Sequence, residues 1–578
     1  MNDIRRTILW VIFGFSMVLL WDQWQVYNGH KATFFPMPSQ HAANAPAPGA
    51  SAAASSAASA SDVPAPTVAA ASGAVPAAGS AQVPGGASAA AAPAAPHEQI
   101  VVTTDVLKLT FDTEGGSLVR TEMLRYGDNN HRGSNFVLLD ESHDRVYLAQ
   151  TGLIGAGATL PTHKTAMTAV PGERTLKDGV DELSIKFESP EVGGVKLVKT
   201  YTLRRGAYDM TVKHEVVNIG SAPISPQLYL QIVRDGNKPP GESSFYSTFT
   251  GPAVYTEAKK YHKVEFKNIE NNKVDIDKQS PNGYVAMVQH YFASAWLLAD
   301  GIERELFLRK VDTNLYAVGM ITTLQDIAPG QSKAIDAKFY AGPEEEKKLE
   351  ALAPGLELVK DYGWLTILAK PLYWLLDKLH SVLQNWGWSI VALVLLLKIA
   401  FYWLNAKAYA SMAKMKAINP RIMEMRERLK DNPQQMQQEM MRIYREEKVN
   451  PMGGCFPIMI QIPVFIALYW VLLSSVEMRN APWILWIKDL SSPDPFFILP
   501  AVMTMTSLLQ TALNPAPPDP MQAKMMWIMP LAFSVMFFFF PAGLVLYWIT
   551  NNILSIAQQW LINTRMGVPP QFNLPKFR

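Results

Sequence analysis

Residues 389–403 read SIVALVLLLKIAFYW. Thirteen of the fifteen suit hydrocarbon, Ser389 stands at the edge, and Lys398 is charged. A charge at mid-membrane costs roughly 3 kcal/mol even on lenient insertion scales, so this lysine needs a reason. Working outward, apolar runs fall at about 386–404, 454–473, 496–513, 526–541 and 544–562. Only Pro541-Ala542-Gly543 joins the last two. With a further run at 7–21 they predict six spans and an α-helical transmembrane bundle. Several are shorter than the ~20 residues usually needed, and local bilayer thinning is one expected response.

Residues 7–21, TILWVIFGFSMVLLW, follow Arg5 and Arg6 and end at Trp21, Asp22, Gln23 and Trp24. A cleaved signal peptide needs small residues at its cleavage site, whereas tryptophans suit an interfacial anchor. Residues 1–24 are therefore expected to be an uncleaved signal anchor. Residues 25–97 form a linker, and its 41–96 tract of Ala, Pro, Ser and Gly has no Lys, Arg or Glu. Such a tract cannot bury enough apolar surface to offset its ordering entropy. The single cysteine, Cys455, excludes an intramolecular disulfide, and a net charge of +2 predicts no specific nucleic-acid site.

Residues 98–350 have a different texture. In YDMTVKHEV, 208–216, Tyr208, Met210, Val212, His214 and Val216 take one face; Asp209, Thr211, Lys213 and Glu215 take the other. That is the period of a strand with one wet face. Similar runs at 100–111, 195–204, 226–233 and 334–341, divided by turn signals, predict an all-β sandwich. His214, on the apolar face, reads as a hydrogen-bonded core histidine rather than a catalytic base. No compact carboxylate pair can be placed, although sandwich sites assemble from distant loops.

Residues 357–379 predict an amphipathic interfacial helix that Pro371 should end or kink. Segment 405–452 holds ten Lys/Arg and six Asp/Glu, against two and three in 474–495. The positive-inside rule then puts 405–452 in the cytoplasm, the β domain outside and both termini inside. Ile422, Met425 and Leu429, then Met436, Met440 and Ile443, repeat at helical spacing around Asp431-Asn432-Pro433 and predict a helical hairpin. Its methionines read as the seam between the helices, with a soft client-binding surface as the alternative.

Within the expected core, 386–562, polar residues gather toward one depth: Lys398, Gln461, Thr506, Ser507 and Gln510. Asn551, Ser555, Gln558 and Gln559 join them on roughly one face of the last span. Snorkelling would account for Lys398 alone. With the polar face beside it, a wet recess reaching from the cytoplasm to mid-membrane is the better account. A one-sided recess lacks the outer half of a transport path. It would instead lower the cost of bringing a polar chain into the bilayer, Lys398 attracting acidic residues of the passing segment.

The stretches NWGWS (385–389), SMAKM (411–415), VNPMGGCFPIMIQIP (449–463), FIALYW (465–470), WIKDL (486–490) and AGLVLYW (542–548) closely resemble the YidC/Oxa1/Alb3 membrane protein insertases, in particular those of Gram-negative bacteria. The resemblance implies a periplasmic β-supersandwich, a five-helix insertase core with an inner-leaflet groove, and the inner membrane as location. It implies nascent inner-membrane proteins as clients, received alone or with the Sec translocon, contact with membrane lipids, and no ATP, cofactor, metal or catalytic residue. Lys398 stands where such proteins usually have arginine, so the charge is kept and the bidentate fork lost. Val394 replaces a threonine one turn earlier. The family's substrate-contacting aromatics map onto Tyr547 and Trp548. The tail, 563–578, is short and weakly basic, so ribosome contact falls to the 405–452 hairpin. Cys455, with no nearby His, reads as a packing residue. The rival functions are a polytopic transporter or channel with an accessory sugar-binding domain, and a tethered sugar-active enzyme.

Overall fold

The computed structural model describes residues 97–567 apart from 129–132, 156–158, 240–247, 430–431, 448–455 and 515–519, and also Phe572. The expected anchor 1–24, all of the linker but His97, Cys455 and most of the tail lie outside the described residues. The chain divides into two compact units, meeting in sequence at Lys360 and Asp361.

The first unit stands on two antiparallel sheets. One runs through Gln99–Thr103, Leu107–Asp112, Ser117–Gly127, Val146–Ile154, Gln227–Asp235, Leu315–Thr323, Arg304–Asp312 and Gln279–Ser280. The other runs through Lys260–Lys263, Gly251–Thr256, Tyr284–Gln289, Phe292–Leu298, Ser332–Pro343, Asp209–Asn218, Val195–Arg204, Glu182–Glu188 and Thr168–Ala169. The alternation at 208–216 holds: Met210, Val212, His214 and Val216 are buried, while Thr211, Lys213 and Glu215 are not. Strand Gln227–Asp235 falls on the expected run 226–233, and both it and Phe292–Leu298 are buried along their whole length; the second carries no alternation, as a strand packed on both faces need not. The expected single strand 100–111 is two strands, because Thr104 turns the chain and its hydroxyl accepts from the Val106 and Leu107 amides.

His214 is fully buried, and its Nε2 lies 2.9 Å from Thr151 Oγ1. Beside it Lys199, also 0 % exposed, donates to the carbonyls of Gly115 and Thr151 at 2.6 and 2.7 Å. Burial lowers the Lys199 ammonium to about 7, and burial together with the Lys199 charge lowers His214 to about 3.

The second unit is helical. α1 (Thr366–Leu383) starts nine residues later than the expected interfacial helix and runs through Pro371 without ending there. α2 (Trp386–Ala400) is capped by Asn385, whose side chain accepts from the Trp388 amide. α3 (Tyr402–Arg428) and α4 (Pro433–Glu446) form the hairpin; α5 (Phe456–Ser474), α6 (Ile498–Leu513), α7 (Pro520–Phe537) and α8 (Ala542–Arg565) complete the set.

The expected span 386–404 is interrupted: Phe401 leaves helical backbone, at ψ 9°, and α2 and α3 meet at 68°. Among the described residues no single helix is long and apolar enough to cross a membrane, and that bent pair passes by length and composition. The packed core joins Leu393 and Val394 to Ala467, Leu468, Val471, Leu544 and Val545. The hairpin has its own small core of Ile418, Ile422, Met425 and Ile443, lined by Met415, Met436 and Met440. The seam reading of these methionines holds, while Met423 and Met441 stay exposed.

Candidate functional site

Lys398 sits in the last turn of α2, 5 % exposed, and donates to Ser555 Oγ of α8 at 2.7 Å. No carboxylate lies within ion-pair distance of it among the described residues. Gln558, one turn beyond Ser555, donates to the Lys398 carbonyl at 3.1 Å, and Asn405 of α3 donates to Gln558 at 3.3 Å. Gln461 of α5 donates to Asn551 at 3.3 Å. Three helix ends thus converge on one strip of α8.

A cavity of about 20 Å³ lies at the centre, lined by Lys398, Asn405, Gln461, Tyr547 and Asn551 with Val394, Leu397, Phe401 and Val464. That holds about one water. The sequence suggests a wider recess; here the polar side chains pair with one another across the space and draw its walls together.

The other candidates face elsewhere. Successive residues of a helix stand ~100° apart, so Asn552 turns away from Asn551 and donates to Thr506 and Ser507 of α6 at 3.2 and 2.9 Å. Gln559 shares that face, donating to the Leu513 carbonyl at 3.3 Å and to Asn514 at 3.2 Å. It satisfies an end carbonyl of α6 that the helix leaves without a partner. The expectation that Asn551, Ser555, Gln558 and Gln559 share one face therefore fails for Gln559. Thr506 and Ser507 belong to the α6–α8 seam, and Gln510 is half-buried with no side-chain hydrogen bond among the described residues.

Tyr547 is buried at the cavity wall, and Trp548 is half-buried one position along. Both rings meet Phe465 of α5, with centroids at 5.5 and 4.6 Å, and Trp548 also meets Phe537 of α7 at 4.7 Å. Sequence reasoning missed Asn405 and Asn552. Asn405 falls just past an expected span end, and Asn552 hides behind its neighbour in Thr550-Asn551-Asn552.

Family models match both parts of the chain: residues 99–375 match the YidC periplasmic domain and residues 378–568 match the 60Kd inner membrane protein. The chain is similar to the membrane protein insertase YidC of Cupriavidus necator, 56 % identical over 572 residues and 98 % of either chain. It is similar to that of Bordetella pertussis, 54 % identical over 566 residues and again 98 % of each. A crystal structure titled as an active YidC insertase with the first transmembrane domain resolved aligns at TM-score 0.37 and 20 % identity, covering 79 % of this chain and 91 % of the other. The chain belongs to the YidC membrane protein insertase family.

Proposed function

We propose that this protein is an insertase and folding chaperone for inner-membrane proteins, working without ATP. The observation that carries the reading at the level of residues is the Lys398–Ser555 pair, a buried ammonium held by a neutral hydroxyl at 2.7 Å. A charge so placed is costly, and it is left free to attract a carboxylate arriving on a client. Gln461, Asn551 and Gln558 supply hydrogen bonds that a polar client segment would otherwise lose on leaving water. Parting of α2, α5 and α8 around the small cavity opens a groove to the cytoplasm and to lipid, and the client's apolar helix leaves past Tyr547 and Trp548.

On this reading residues 386–562 form the working core, the sandwich lies in the periplasm and both termini lie in the cytoplasm. Clients arrive alone or from the Sec translocon, and the 405–452 hairpin meets the ribosome. Site-specific photocrosslinking from Tyr547 and Trp548 to a nascent membrane protein tests it. Adducts at both positions are expected, and their absence during active insertion overturns the route. Deleting most of residues 98–340 should leave insertion intact.

A further inference from the structure

The segment 475–497, between α5 and α6, is folded around two carboxylates. Asp489 accepts from the Asn480 and Ser491 amides at 3.1 and 2.8 Å and from the Ser491 and Ser492 hydroxyls at 2.8 and 2.7 Å. Asp494, 1 % exposed, accepts from the Trp486 indole at 2.9 Å and the Phe496 amide at 3.0 Å. It also accepts from the Leu499 amide at 2.7 Å, in the first turn of α6. Bonds to an ionised acceptor are roughly twice as strong as neutral ones.

So folded, the segment offers carbonyls to two other helices. Those of Pro482 and Trp483 accept from the Asn385 amide, both at 3.3 Å, while the other end of that side chain caps α2 at Trp388. The Trp483 ring lies so close to Gly387 that a Cβ there would stand 2.3 Å from it. The carbonyls of Ser492 and Leu490 accept from Ala542 and Gly543 at 2.8 and 2.9 Å. Those two amides open α8 and have no partner within the helix. One loop therefore ties the starts of α2 and α8.

The same two helices carry Lys398, in the last turn of α2, and Ser555, midway along α8. Lys398 comes twelve residues after Trp386, and Ser555 thirteen after Ala542. At ~1.5 Å per residue these are runs of ~18 and ~20 Å. Two helices started together from one loop bring these residues level; sliding one by a turn would separate them by ~5 Å.

We propose that the 475–497 loop is a positioning clamp, held folded by Asp489 and Asp494, that sets the α2–α8 register and so places Lys398 against Ser555. The consequence for insertion rests on the reading of Lys398 above; the register itself does not.

The test uses the full chain in membranes with Cys455→Ser, so that no native thiol remains. Val394→Cys and Asn551→Cys, from opposite walls of the small cavity, report register by oxidative cross-linking. Asp494→Asn removes one carboxylate. Asn385→Asp keeps the capping oxygen but turns the donor that holds Pro482 and Trp483 into an acceptor. Each is expected to lower the cross-linking yield several-fold. Unchanged yield in both overturns the clamp. If Asp494→Asn fails to accumulate, Asn385→Asp, which leaves both carboxylates in place, decides alone. A fallen yield, with insertion undiminished when the same substitution is made without the two reporter cysteines, upholds the clamp and counts against Lys398 as the working charge.

Discussion

Lys398 Nζ and Ser555 Oγ stand 2.7 Å apart between α2 and α8, the ammonium meeting a hydroxyl and no counter-charge among the described residues. A buried charge with a neutral partner favours function over stability, since replacement by an apolar residue of similar volume is often neutral or stabilising. Lys398→Met is therefore expected to match or exceed the parent in thermal melting in detergent. Insertion of clients with acidic outer segments is expected to fall with Lys398→Ala and to persist with Lys398→Arg. Equal insertion by the alanine variant across such clients rejects an essential charge.

Asn551 and Asn552 are neighbours in sequence with opposite expected phenotypes. Asn551 faces the cavity and meets Gln461 at 3.3 Å. Asn552 is 4 % exposed and bridges Thr506 and Ser507. Side-chain hydrogen bonds between membrane helices are worth ~0.6 kcal/mol on average and up to ~1.7. Asn552→Ala, which loses two such bonds, should lower stability by about 1 kcal/mol and spare insertion per folded molecule; Asn551→Ala, which loses one, should slow insertion at a smaller cost in stability. Identical behaviour of the pair would contradict the two-face assignment.

That assignment shows where the sequence stops being legible. The strand at 208–216 announces itself because one face is wet and the other packed, so alternation survives in the residues. Strand Phe292–Leu298 is buried on both faces and carries no such mark. Helical runs, their approximate limits and the shared depth of Lys398, Gln461 and Asn551 follow from apolar length alone. Which of two adjacent asparagines meets α5 and which meets α6 depends on helix rotation, fixed by packing such as Phe465 against Tyr547 and Trp548. The break at Phe401 has neither proline nor glycine beside it. The clamp was hidden for another reason: Asp489 and Asp494 bond to amides and hydroxyls a few residues away, and nothing in their spacing says so.

The hairpin has a core of its own, so its stability should be separable. Ile443 is 3 % exposed against Ile418, Ile422 and Met425. Truncating a buried isoleucine to alanine typically costs ~2–5 kcal/mol, more than a four-residue core of this kind can spare. Ile443→Ala is expected to speed amide hydrogen exchange across 402–446 while α2 and α8 keep their protection. Co-sedimentation with ribosomes should weaken in step. Exchange rising equally in α8 would show instead that hairpin and core open as one unit.

Lys199 and His214 make the sandwich unit sensitive to pH on two limbs, both of the same sign. Each is fully buried, and burial disfavours the protonated form. For His214 the folded value is about 3 and the ordinary one 6.5. Between them the unfolded chain holds a proton that the folded chain lacks, so stability rises with pH across that interval. Lys199 repeats this from about 7 to 10.5, with a limiting slope of about 1.4 kcal/mol per pH unit. Its two bonds, to Gly115 and Thr151, suit a neutral amine, which has two hydrogens to give. Urea midpoints of residues 97–360 measured from about pH 7 to 9, below the range in which the unfolded chain's tyrosines lose their protons, should climb in the parent and lie flat in Lys199→Met, whatever the absolute cost of leaving two carbonyls without a donor. A parent curve as flat as the variant's there would mean the ammonium keeps its proton in the fold.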